Sequence, residues 1–367
     1  MSPRLFPSSI DLAAPPSGQV LGLLAQRVDE VLATFLTERA KELAAIDAAL
    51  NPVADSVTAL VEAGGKRLRP AFVWWGAMAA AAEPDPEILK PAGAAELLHT
   101  FALIHDDIMD KSATRRGLPA VHSALAEHHR EAGMAGDAEW FGTGGGILAG
   151  DMVFVWADML FEAAALDPVA LARSRTVFAH LRTEVMAGQY LDLRLSGLPE
   201  ASEEDSLRVS LLKSGRYTVT RPLQMGAALG APDDALDRAL VEFGDAIGVA
   251  FQLRDDILGL MGDPDETGKG ALEDVREGKR TMLVLRARDL ATPAQRDVLA
   301  GVLGDPAAAD EGVDQVRQVV TETGALDQVE ASLSTLRATA EAAIDEVREP
   351  ARSALLELAA EAIDRTS

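Results

Sequence analysis

The sequence predicts an all-α fold, a single-domain bundle of about ten or more helices, on three observations. Apolar residues recur at helical spacing from Leu21 almost to Ser367, cut by Gly, Pro and Asp into ten to twelve segments. Strand-like alternation is hard to find anywhere along the chain. Hydrophobic residues make up 48% of the chain but aromatics only 4%, so the core must come largely from Ala, Leu and Val. That composition suits closely packed helices.

Taken in order, residues 1–18 carry Pro3, Pro7, Pro15 and Pro16 and read as a loose arm. Residues 19–367 read as one domain, because no fixed-period repeat is visible and no linker is long enough to separate one core from another. Joints are expected at Gly64-Gly65, Pro84 to Pro86, Gly117 to Pro119, Gly133 to Gly146, Gly197 to Ser202, Gly230 to Pro232 and Gly262 to Gly270. The Ala- and Glu-rich tail after Pro293 reads as solvated helices packed around the rest.

Several functions are excluded early. A net charge of −24 argues against a nucleic-acid surface and otherwise signals solubility. With no cysteine, disulfides, thiolate nucleophiles and zinc-thiolate sites are ruled out. The first twenty residues lack the basic start and apolar core of a signal peptide. No stretch reads as a membrane span, since Ile147 to Leu166 is interrupted by Asp151, Asp158 and Glu162. A cytoplasmic protein is the default.

Two acidic clusters carry the chemistry. The run from Ala92 to Met109 places Asp106 and Asp110 one turn apart, Asp107 on the flank and His99 beneath. Three acids at a helix C-terminus oppose its dipole, so a divalent cation such as Mg²⁺ is the natural relief. The second run, Phe243 to Leu260, puts Gln252, Asp255, Asp256 and Gly259 on one face, with Gly244 and Gly248 spaced for close helix contact. Asp263 lies just beyond. Two such faces suggest a diphosphate clamped between them.

Basic groups stand out locally. Arg115 and Arg116 follow the first cluster, either as its counter-ions or as a fork for phosphate oxygens. Gly64-Gly65-Lys66-Arg67-Leu68-Arg69-Pro70 opens a helix, where an anion is welcome, although Walker-type spacing is absent. Lys213-Ser214-Gly215 and Gly188-Gln189-Tyr190-Leu191-Asp192 lie mid-chain. Lys269 sits between glycines, in either a closing lid or a plain solvated turn. His122, His128, His129 and His180 show no ligand constellation, and His128-His129 reads as a solvated loop.

GGKRLRP, HDDIMD followed by RRG, GQYLDL, KSG, and FQLRDDILGLMGD with a downstream GK, in that order from Gly64 to Lys279, resemble the trans-isoprenyl diphosphate synthases. The resemblance implies an all-α bundle around a deep central cavity, usually a homodimer. It implies three Mg²⁺ held by Asp106, Asp107 and Asp110 with Asp255 and Asp256 opposite. Arg115, Lys213, Gln252 and Lys269 would contact the allylic diphosphate. Lys66, Arg69, His99 and Arg116 would bind the diphosphate of isopentenyl diphosphate. Two departures stand out: Gly259 replaces the third Asp of a strict DDxxD pattern, and Ser214 replaces a more usual threonine while keeping the hydroxyl.

The implied reaction is head-to-tail condensation of isopentenyl diphosphate with an allylic diphosphate. Phe101, five residues before Asp106, occupies a position that often limits chain length in this family, with Ala102 beside it. A helical wheel turns Phe101 away from the Asp face, so it reads equally as ordinary core. One aromatic there, with no insertion in DDIMD, resembles synthases making the C20 geranylgeranyl product, ahead of the C15 farnesyl product. A class I terpene cyclase would be expected to carry an Asn/Ser/Glu metal triad in place of Asp255-Asp256. An inactive regulatory subunit would typically lack an acidic motif.

Overall fold

The periodic runs form helices, and a computed structural model describes them over residues 19–198, 201–262 and 271–364. The arm expected over 1–18, Asp263 and the Gly268-Lys269-Gly270 loop lie outside the described residues. Contacts group the chain into two units, Met1–Ser174 with Met225–Ala231, and Arg175–Gln224 with Pro232–Ser367.

The first unit holds α1 (Val20–Ile46), α2 (Asn51–Glu62), α3 (Leu68–Ala79), α4 (Leu89–Met109), β1 (Thr114–Arg115), β2 (Leu118–Pro119), α5 (Val121–Glu131) and α6 (Ala138–Glu162). Helix α4 packs on α1, α3 and α6. Its buried face is built from Ala92, Ala94, Ala95, Leu97, Leu98 and Ile104, the small-residue core that the composition demands. Trp74 and Trp75 of α3 are fully buried and supply much of the aromatic volume.

The joint expected at Gly133 to Gly146 is confined to its first part: residues 132–137 turn the chain, and helix α6 already begins at Ala138. Asp137 caps it, accepting from the amides of Glu139 at 2.9 Å and Trp140 at 3.3 Å, and the glycines that follow are helical. A methyl group at Gly142 would lie 2.2 Å from the His122 carbonyl oxygen, so the glycine is there to let α5 approach. Close packing overrides glycine's poor helix propensity. Neither Asp151 nor Asp158 interrupts the helix, which over an 18-residue window averages 1.3 in hydropathy and is 44% buried. Among the described residues it is the one helix with the length and composition to cross a membrane. The His128-His129 expectation is also corrected. Both lie on α5, and His129 is buried against Phe141, with Nε2 3.3 Å from the Ala135 carbonyl.

Helix α7 (Pro168–Ser196) leads into the second unit. Next come α8 (Glu203–Val209), a π-helical stretch (Ser210–Thr220), α9 (Arg221–Ala227) and the 28-residue α10 (Asp234–Met261), capped by Asp233. Then follow α11 (Ala271–Glu277), α12 (Met282–Leu290), α13 (Pro293–Val302), α14 (Asp310–Glu322), α15 (Ala325–Ala343) and α16 (Ala351–Ile363). The short helices raise the number above the ten to twelve read from the breakers. Gly244 and Gly248 do mark a close contact: a methyl on Gly248 would lie 2.4 Å from the Gly215 Cα. Backbone therefore meets backbone where α10 crosses the π-helical stretch.

Candidate active site

Helix α4 ends at Met109, and its last turn presents Asp106 and Asp107, with Asp110 as the C-cap. The three acids do not behave alike. Asp106 is partly exposed, while Asp107 is 1% exposed and is held by Arg115, whose Nε donates to Oδ1 at 2.8 Å and whose Nη2 donates to the same oxygen. Asp106 Oδ2 stands 3.9 Å from Arg115 Nη2. Burial opposes the charge on Arg115, but Asp107, Asp106 and Asp110 outweigh it and raise its pKa. In this state Arg115 is a counter-ion of the cluster, the first of the two roles the sequence allowed.

A tight hairpin separates the two arginines. Arg115 pairs with Leu118 and Thr114 with Pro119, and the turn residues Arg116 and Gly117 have φ of 53° and 75°. Two positive φ values at the centre are the signature of a type I′ turn. Glycine accepts this freely, whereas Arg116 adopts it against its Cβ. The arginines consequently face different neighbours. Arg116 Nη1 lies 3.4 Å from the Leu60 carbonyl oxygen, and a methyl on Gly65 would sit 3.0 Å from Nη2. The hairpin thus carries Arg116 to the Gly64-Gly65-Lys66 turn.

His99 lies about two turns before Asp106 on α4. Its pKa is well below the usual value, chiefly through burial and then through the charges of Arg69, Arg116, Arg115 and Arg67. The imidazole is therefore neutral near pH 7. Arg116 is itself pulled down by burial and by Arg67, Arg69 and Arg115, with Glu96 acting in the opposite sense. Lys66 is exposed and Arg69 partly so. Cations from two separate stretches of sequence, Arg67 with Arg69 and Arg115 with Arg116, act on one histidine. Phe101 is buried, 4.8 Å from the His105 ring and 5.0 Å from Phe154 of α6, while Ala102 is partly exposed.

The second unit carries the other motif on α10. Gln252 Nε2 donates to Asp256 Oδ1 at 2.8 Å. Burial pushes the Asp256 carboxyl up to about 7; the Gln252 bond and Lys279 oppose the rise, and Asp255 and Asp274 add to it. Asp255 remains partly exposed. A feature missed in the sequence appears at Gly259, where a methyl group would meet Asp274 Oδ2 at 3.0 Å. A carboxylate from α11 thus approaches the position that lacks the third Asp of the strict pattern, and Lys279 holds it with a 2.6 Å bond. Only a fold could reveal this, because fifteen residues separate the two positions. Lys213, in the π-helical stretch beside Ser214, donates to Asp192 Oδ2 at 2.6 Å and ties the KSG and GQYLDL elements together.

Among the described residues no three His, Asp or Glu side chains form a ready metal group. The donors still fit the expected Mg²⁺. They are hard carboxylate oxygens, and Mg²⁺ commonly takes one or two of these together with waters and substrate phosphates. The partly exposed carboxylates of the two motifs are Asp106 and Asp110 in the first unit and Asp255 in the second.

Known proteins agree with this picture. The polyprenyl synthetase family model matches residues 51–322. A geranylgeranyl diphosphate synthase of Methanosarcina mazei is 32% identical over 307 residues, covering 83% of this chain and 87% of that protein. A geranylfarnesyl diphosphate synthase of Aeropyrum pernix is 31% identical over 275 residues, covering 74% of this chain and 80% of that protein. The crystal structure of a Corynebacterium glutamicum geranylgeranyl pyrophosphate synthase, complexed with isoprenyl diphosphate and magnesium, superposes with a TM-score of 0.89 at 37% identity, covering 94% of this chain and 99% of that one. With motifs, helical architecture and matched length all in accord, the chain belongs to the polyprenyl synthetase family.

Proposed function

We propose that this protein is a Mg²⁺-dependent prenyltransferase that joins isopentenyl diphosphate head-to-tail to an allylic diphosphate, with the C20 geranylgeranyl diphosphate as its product. The gathering of Arg69, Arg115 and Arg116 around neutral His99, on the helix that ends in Asp106 and Asp110, carries this reading. Such a site is built for phosphate at one level and for a metal-bound leaving group at the next.

Lys66, Arg69, His99 and Arg116 bind the diphosphate of isopentenyl diphosphate, the arginines through their planar forks and His99 as a neutral hydrogen-bonding dipole. Arg115, Lys213, Ser214, Gln252 and Lys269 hold the allylic diphosphate. Asp106, Asp107, Asp110, Asp255 and Asp256 are the Mg²⁺ ligands, and Asp274 supplies a further carboxylate beside Gly259. Bound Mg²⁺ neutralises the diphosphate and stabilises the charge that develops as it departs.

The allylic C–O bond breaks, its electrons leave on pyrophosphate, and the isopentenyl double bond attacks the allylic cation to form the new C–C bond. The resulting cation loses a proton, which the departing pyrophosphate accepts. The cationic side chains act before and during cleavage by holding two polyanions in place, and their preorganisation is what lowers the barrier. Water must be excluded, since it would quench the cation as an alcohol.

A homodimer belongs to the proposal. Leu148, Val155 and Met159 stand at helical spacing on α6, 59%, 54% and 39% exposed, an apolar stripe that a second copy would cover. Supplying isopentenyl diphosphate with C5, C10 or C15 allylic partners and weighing the products tests the catalytic reading. A C20 diphosphate with release of pyrophosphate is expected; a cyclised hydrocarbon, or no condensation, would overturn it.

A further inference from the structure

In one guanidinium of the cationic cluster every nitrogen donates to a protein oxygen. Arg67 is 3% exposed, and its Nε donates to Asp29 Oδ1 at 2.8 Å, its Nη1 to Glu96 Oε1 at 2.7 Å and its Nη2 to the Val61 carbonyl oxygen at 2.7 Å. The three acceptors belong to α1, α4 and α2, so one planar group ties three helices together. Its backbone lies in the left-handed region, φ 51° and ψ 36°, between the Gly64-Gly65 turn and the start of α3. A residue with a Cβ holds that conformation only when its surroundings over-determine it.

Glu96 completes the arrangement. It is 2% exposed, sits one turn before His99 on α4, and its Oε2 accepts no hydrogen bond among the described residues. Its charge acts on both Arg67 and Arg116. Burial works against the charge on Arg67, but Glu96 and Asp29 outweigh it and raise its pKa. Removing either member of a buried pair would strand the other. Arg67 therefore has neither the exposure nor the spare nitrogen to grip a ligand, unlike exposed Lys66 and partly exposed Arg69 on either side of it.

We propose that Arg67 is a positioning residue: clamped by Glu96, Asp29 and Val61, it fixes the turn from Gly64 to Arg69 and so sets the spacing of Lys66 and Arg69 for the diphosphate of isopentenyl diphosphate. This rests on the pocket assignment made above. Lysine could replace the charge but not the three-way fork, so shape rather than charge is the requirement.

Steady-state kinetics of Arg67→Met, Arg67→Lys, Asp29→Asn and Lys66→Ala, with the melting temperature of each, test the idea. Losing a charge-assisted anchor should raise KM for isopentenyl diphosphate about tenfold to a hundredfold in Arg67→Met. The allylic KM and kcat should stay within about threefold of wild type, a change worth under ~0.7 kcal/mol. Arg67→Lys should recover only a fraction of the loss, and Asp29→Asn should show a smaller rise in the same direction. If Arg67→Met does not fold, the lysine and Asp29 variants decide by the same criterion. A lowered melting temperature with an unchanged isopentenyl KM, or both KM values rising together, would overturn the positioning role. Lys66→Ala separates the two ideas: if it too leaves the isopentenyl KM unchanged, the pocket assignment has failed rather than the strut.

Discussion

Asp106 and Asp107 are neighbours in sequence, yet one is partly exposed and the other lies buried under Arg115. Replacing Asp106 by Asn, or Asp255 by Asn, removes a presented oxygen donor with little change of shape. Turnover should fall by about two to four orders of magnitude, as expected when several kcal/mol of leaving-group stabilisation is lost, while circular dichroism and melting temperature stay unchanged. Wild-type rates would remove these residues from the metal site. His99 makes a different prediction. Its folded pKa is depressed, so as pH falls through the unfolded value of about 6.5 the unfolded chain takes up the proton first and stability declines. Melting temperature measured between about pH 5 and 7 should therefore drop more steeply for the wild type than for His99→Asn. The acidic positions were legible from a helical wheel. Asp107's counter-ion was legible only as one of two options, because a wheel does not show where the following hairpin returns.

At the scale of the element, glycine misled the sequence reading once and guided it once. The Gly-rich run before Leu148 looked like a joint, but Gly142 lies inside α6 because α5 presses against it. Gly244 and Gly248 were read correctly, since their four-residue spacing puts both on one helix face. Two substitutions in α6 separate packing from propensity. Gly142→Ala should cost about 1–3 kcal/mol in denaturant unfolding, because its methyl meets backbone at 2.2 Å. Gly144→Ala has nothing within 4 Å and should be neutral or stabilising by up to ~1 kcal/mol. Equal effects from the two would show that contact with α5 does not explain the glycines. Phe101 belongs at this scale as well. Phe101→Ala opens a cavity between α4 and α6, should cost about 3–5 kcal/mol, and should lengthen the product; an unchanged product mass would leave the ring as core alone.

For the molecule as a whole, the helical class was legible because periodicity and an Ala-rich core both follow from how helices pack. The short hairpin and the π-helical stretch were not, since neither leaves a periodic trace in the sequence. Chelation by EDTA should abolish condensation and excess Mg²⁺ should restore it; turnover that persists in EDTA would contradict the scheme. Sedimentation should show a dimer that Val155→Glu disrupts, and a wild-type monomer at micromolar concentration would remove α6 from that role.

The π-helical stretch sets a limit of a different kind. Its wider coil holds more residues per turn than an α-helix, and Lys213 meets Asp192 from within it. Deleting one residue upstream would let the coil relax to the ordinary pitch and swing the lysine by about 100° around the axis, with every side chain unchanged in kind. Here the tally of residues, not their identity, decides whether the ammonium group reaches its mark.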